Sequence, residues 1–147
     1  MGSRLSSTMA LLALLLLGVG QGTAEGAPKT LPPSVIMIGV AGPMSGDMAN
    51  VGRSVLEAVE LQVEEWNEKG GILGRRLQLL VEDDHNDPLE AVSAAKRLVR
   101  AGVWGVIGHL TSAGSLPASA IYHAAGIPQI TPSSTDPRLT ERGFRNL

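Results

Sequence analysis

Residues 103–119 read VWGVIGHLTSAGSLPAS. The stretch opens with a short apolar run, Val103, Trp104, Val106 and Ile107. It breaks at Gly108 into small hydroxyl and glycine residues, and a helical pattern resumes at about Leu116. A short, nearly continuous apolar run is what a strand covered on both faces presents. The segment therefore predicts a strand, a loop over residues 108–114 and a helix closed by Gly126. In open α/β sheets, ligands settle beyond the carboxyl ends of the strands, where loops meet helix N-termini with unpaired N–H groups. Ser112 and its neighbours occupy such a place, suited to an anion.

The flanking sequence repeats the pattern. Val35 to Ala41 is an almost unbroken apolar run, and Gly42-Pro43-Met44-Ser45-Gly46 interrupts it as a loop. Val51, Val55, Ala58, Val59, Val63 and Trp66 recur at steps of three and four with glutamates between them, which predicts an amphipathic helix over residues 49–67, stopped at Gly70-Gly71. Leu77, Leu79 and Val81 predict a second strand ending in Glu82-Asp83-Asp84. Asp87-Pro88-Leu89-Glu90 carries the signature of a capped helix start, with Glu90 completing a capping box. The helix that follows has a small-residue face and ends at Gly102. Ile127 to Ile130 is a short fourth strand, followed by a loop over residues 131–137, one helical turn over 139–142 and the approach to a further strand. The order β-α-β-α-β-α-β, with long crossovers, predicts an α/β fold with a doubly wound parallel sheet.

Composition narrows the function classes. A chain of 147 residues with net charge -2, 44% hydrophobic and no cysteine lacks the basic excess of a nucleic-acid binder and cannot form disulfides or thiolate sites. Residues 1–24 combine Arg4, an apolar core from Met9 to Val19 and a small-residue exit at Gly22-Thr23-Ala24, the plan of a secretory signal peptide. That core is about 11 residues, short of the roughly 20 a spanning helix needs. Export is therefore expected, with residues 25–34 as a proline-containing linker and 35–147 as the folded part.

Three loops rich in glycine and hydroxyl residues, 42–46, 108–114 and 131–135, follow strands one, three and four. Parallel strands would open all three on one edge of the sheet. They hold no lysine or arginine, so hydroxyls and backbone groups define their chemistry, which suits a small zwitterion. Their residues are also ordinary turn formers. Nucleotide binding lacks support, since Gly39, Gly42 and Gly46 do not form G-x-G-x-x-G and no glycine loop leads into Lys-Ser or Lys-Thr. Asp83, Asp84, His85 and Asp87 could gather a metal, but a solvated acidic loop with Asp87 as a helix cap accounts for them better. His109 and His123 are expected to pack or hydrogen-bond, Trp66 and Trp104 to join the core. Ser112 lacks the G-x-S-x-G elbow of a hydrolase nucleophile, so no catalytic residue, metal or cofactor is expected.

Gly108-His109-Leu110-Thr111-Ser112 with Leu116-Pro117-Ala118-Ser119, and Ile130-Thr131-Pro132-Ser133-Ser134-Thr135-Asp136-Pro137, closely resemble the leucine/isoleucine/valine-binding proteins of the type I periplasmic binding protein family. Further matching stretches are Gly42 to Gly46, Asn67 to Ile72 and Asp83 to Pro88. Members of this family are substrate-binding components of ATP-driven (ABC-type) amino-acid importers. The resemblance implies a periplasmic, monomeric, non-enzymatic protein whose partners are a small amino acid and a membrane permease. It implies that Ser112 receives the ligand carboxylate, that Ser133 through its carbonyl and Thr135 through its hydroxyl meet the ammonium, and that Leu110, Thr111 and Ser134 share the pocket. Val51 stands where well-known members carry a tyrosine against the ligand side chain. The family pattern has two lobes, so 35–147 reads as a partial N-terminal lobe, without the acidic residue expected from the second. A sensory ligand-binding domain is the alternative built on the same fold, and an exported hydrolase a third.

Overall fold

A computed structural model describes residues 35–147; the expected signal peptide and linker lie outside the described residues. β1 (Val35–Gly42) runs through the middle of a sheet ordered β2-β1-β3-β4, with β2 (Arg76–Asp83), β3 (Gly105–Gly108) and β4 (Gln129–Ile130) all parallel to their neighbours. The helices between them are α1 (Ala49–Glu68), α2 (Pro88–Ala101) and α3 (Ser112–Ala124), with α4 (Arg138–Glu141) as a final turn. The expected order of elements and the parallel sheet are present.

The chain passes from β1 outward to β2, then returns across β1 to β3 and β4. α2 and α3 cover one face. Ala95 and Leu98 of α2 and Ala118 and Tyr122 of α3 pack there with Val103 and Val106. Gly39 admits this close approach, because a Cβ at that position would lie 3.0 Å from both methyls of Leu98. Burying a leucine such as Leu98, fully enclosed here, contributes about 2 kcal/mol. α1 stands on the opposite face, beside Ile38, Ile107 and Ile130, with an apolar groove of about 710 Å³ between helix and sheet.

Local signals explain the helix boundaries. Asp87 accepts from the N–H groups of Leu89 and Glu90, and Pro88 opens α2, which Gly102 closes at φ 74. The reciprocal half of the expected capping box is absent: the Asp87 N–H donates instead to the Asp84 carbonyl at 2.8 Å. α3 begins at Ser112, four residues earlier than the pattern indicated, with Pro117 inside it. The turn 112–115 carries small residues that hide an amphipathic signal, and Pro117, sixth in the helix, forgoes the N–H that would otherwise donate to the Ala113 carbonyl.

Both tryptophans depart from expectation. Trp66 is 46% and Trp104 52% exposed. Trp66 lines the open groove. Trp104 lies at the start of β3 beneath the Arg75 guanidinium, 4.4 Å from the ring centre, a cation–π contact that does not require burial.

Candidate functional site

The carboxyl ends of β1 and β3 are where the strand order reverses, the place in a doubly wound sheet where two loops diverge and leave a crevice. The β3–α3 turn, residues 109–111, lies there, with the β4 loop beside it. Gly108 permits the sharp exit from β3: its φ is +137°, and a Cβ would stand 2.0 Å from the Ala41 carbonyl oxygen.

The Ser112 hydroxyl oxygen accepts the N–H groups of Thr135 at 3.1 Å and Asp136 at 3.2 Å. Its own proton remains available to donate. Ser133 donates its hydroxyl to the Leu110 carbonyl at 2.6 Å. Thr111 donates to the Asn86 side-chain oxygen at 2.9 Å, which adds the β2–α2 loop to the same edge. The Ser134 hydroxyl sits 2.7 Å from those of Ser115 and Thr131. Thr135 is exposed and leaves its hydroxyl without a partner among the described residues.

All the nominated residues thus meet at one edge, in different states. Ser112, Thr135, Ser133 and Thr111 carry polar groups at the surface or partly buried, whereas the Leu110 side chain is only 4% exposed and lies beside Gly42. Leu110 presents its carbonyl rather than its side chain to the β4 loop. Ser134 joins an internal hydroxyl cluster. Val51, in the first turn of α1, lines the apolar groove on the other side of the sheet.

The acidic run after β2 divides in two. Asp83 remains near the surface, where its Oδ1 accepts the N–H groups of Met44 and His85, each at 2.9 Å. Burial alone would raise its pKa, but the Ser45 hydroxyl and these backbone N–H groups outweigh that and hold it below the usual carboxylate range. Asp84 is not part of a solvated loop. It is 2% exposed, and its Oδ2 lies 2.7 Å from His109 Nδ1. His109 Nε2 meets the Tyr122 hydroxyl at 3.2 Å. The sequence reading did not find this buried chain, because its members come from three elements. Its one visible signal was a histidine directly after the glycine that ends β3. Among the described residues, no group of three or more histidine and acidic side chains is placed to hold a metal.

The family described as "Periplasmic binding protein" matches residues 35–146. The chain belongs to the periplasmic binding protein family. Within it, the chain is 44% identical over 110 residues to the Leu/Ile/Val-binding protein of Escherichia coli K12, covering 75% of this chain and 30% of that protein. It is 41% identical over 111 residues to Leu/Ile/Val-binding protein homolog 2 of Brucella abortus, covering 76% of this chain and 30% of the relative. The substrate-binding protein of a branched-chain amino acid transporter from Streptococcus pneumoniae, solved with isoleucine, superposes with a TM-score of 0.73 at 34% identity, covering 77% of this chain and 32% of that one. A substrate-binding protein from Desulfitobacterium hafniense, solved with Leu, gives 0.67 at 38%, covering 76% and 32%. This periplasmic binding protein sequence thus spans about a third of the length of the relatives it matches.

Proposed function

We propose that this chain is the amino-acid-recognising part of a periplasmic substrate-binding protein serving an ABC-type importer for branched-chain amino acids. The observation that supports the reading most is the meeting of Ser112 and Thr135 at the switch-point edge, in a chain 44% identical to a Leu/Ile/Val-binding protein.

The chemistry suits an α-amino acid. The Ser112 proton and the free N–H groups of the first turn of α3 offer donors to a carboxylate, and the helix dipole favours the negative charge. The Thr135 hydroxyl and the Ser133 carbonyl offer acceptors to an ammonium group. Thr111 and the Leu110 backbone complete the rim, and Ser134 supports it from beneath. Binding involves no covalent step. A monomeric protein that closes around its ligand would present the closed shape to a membrane permease, a population shift driven by ligand contacts.

Calorimetric titration of the chain with leucine, isoleucine and valine, with glycine as control, tests the reading. Saturable binding of a branched amino acid that is lost in Ser112→Ala and Thr135→Ala supports it. Equal heats for glycine and leucine, or binding unaffected by both substitutions, contradict it.

A further inference from the structure

We propose that His109, held by Asp84 on one side and Tyr122 on the other, is the positioning residue that sets the 109–112 turn and, through it, the 133–136 loop. The inference deepens the amino-acid-binding reading and rests on it for what those loops contact. The positioning itself does not depend on the ligand.

The hydrogen-bond inventory gives the chain a direction. An ionised Asp84 can only accept, so His109 Nδ1 carries the proton. The other nitrogen of a neutral imidazole then accepts from the Tyr122 hydroxyl. Every polar group in the chain is satisfied in this arrangement. Burial keeps the Tyr122 phenol protonated by raising its pKa. Asp84 is itself anchored, since its N–H donates to the Gly42 carbonyl at 3.1 Å and its Oδ1 accepts the Asn86 N–H at 2.9 Å.

The backbone of His109 carries the consequence outward. Its carbonyl accepts the Ser115 hydroxyl at 2.9 Å and the Thr131 hydroxyl at 2.7 Å. The side chain therefore ties the turn to the end of β2 and to the last turn of α3, while the carbonyl ties it to the start of the β4 loop. The sequence leaves room for this arrangement: a Cβ on Gly114 would come within 3.2 Å of the His109 Cβ, 3.3 Å of the Ala91 Cβ and 3.5 Å of Asp84 Oδ2. A histidine that merely filled space would need neither partner.

Amide hydrogen exchange at Thr135 and Asp136, whose N–H groups donate to Ser112, provides a readout without ligand. Tyr122→Phe and His109→Leu are expected to speed exchange at these two amides about tenfold or more. Leu77→Ala, a buried substitution on the α1 face of the sheet and outside the cluster that holds Tyr122, is expected to lower thermal stability without that selective change. His109→Asn, whose amide can still donate to Asp84, should restore part of the protection, and Ser112→Ala should mimic its loss. Tyr122→Phe removes one hydroxyl and keeps the readout available if His109→Leu does not fold. Unchanged exchange in Tyr122→Phe, or the same change in Leu77→Ala, overturns the proposal. Leucine titration of the unsubstituted chain reports separately: no leucine binding alongside selective loss of protection would leave the positioning intact and remove the ligand reading.

Discussion

The Ser112 hydroxyl oxygen lies 3.1 Å from the Thr135 amide nitrogen and accepts its proton, so the start of α3 and the β4 loop form one surface. Two segments 23 residues apart in sequence are joined at the positions that supply opposite halves of the proposed ligand site.

Removing that hydroxyl separates the two effects. Ser112→Ala leaves the N–H groups of Thr135 and Asp136 without their acceptor, in a site that is partly solvated, so the stability cost is expected to be about 1 kcal/mol. Urea unfolding monitored by circular dichroism measures it. A loss of about tenfold or more in leucine affinity is expected beside it, because the same oxygen carries the proton offered to the carboxylate.

Asn67, near the end of α1, clamps β2 as a strand neighbour would. Its amide donates to the Leu77 carbonyl at 2.9 Å and its oxygen accepts the Leu77 N–H at 2.7 Å. Asn67→Ala breaks both bonds at a buried backbone position and is expected to cost about 2 kcal/mol. Asn67→Asp should fare worse than Asn67→Gln, because a carboxylate cannot donate to the carbonyl. Comparison of denaturant midpoints decides the order.

At Gly52, steric exclusion outweighs helix propensity. Alanine in a helix interior is favoured over glycine by about 1 kcal/mol, yet a Cβ here would stand 2.0 Å from the Pro43 carbonyl oxygen. Gly52→Ala is expected to destabilise the chain by about 3 kcal/mol. Substitution at the exposed Arg53, one residue along, should stay within about 0.5 kcal/mol. Thermal melts of the two variants test the contrast.

Asp83 gives the acid limb of stability a sign. Its folded pKa lies below the ordinary aspartate value of 3.8 that it has in the unfolded chain. It therefore contributes stability above that value, which is lost as pH falls through the folded pKa. Asp83→Asn is expected to be less stable than the parent at pH 7 and to lose less on acidification toward pH 2, as unfolding midpoints across that range would show.

The element order and parallel architecture were legible because local chemistry agrees with the fold: Asp87 and Pro88 open α2, Gly102 closes it, and the strands are short apolar runs between glycine loops. The strand-and-loop pattern nominated the loops at 108–114 and 131–135, the resemblance assigned roles to residues within them, and the shared direction of the strands places those loops together. Trp66 and Trp104 show the limit of periodicity. An apolar stripe indicates which side of a helix or strand avoids water, while the packing partner across from it decides whether burial is complete.

The amino-acid sequence by itself determined the class of fold, the start and stop of α2 and the neutral hydroxyl character of the loops, since these depend on residues within a few positions of one another. Only the tertiary structure decided that Asp84 is buried, that His109 joins it to Tyr122, and that Ser112 holds the Thr135 loop. Those relationships connect residues 13 to 25 positions apart. A hydrogen bond between such residues exists only after the sheet has set the order β2-β1-β3-β4 and α2 and α3 have closed over one face, because distance and direction in space, which residue type does not specify, are what make the bond.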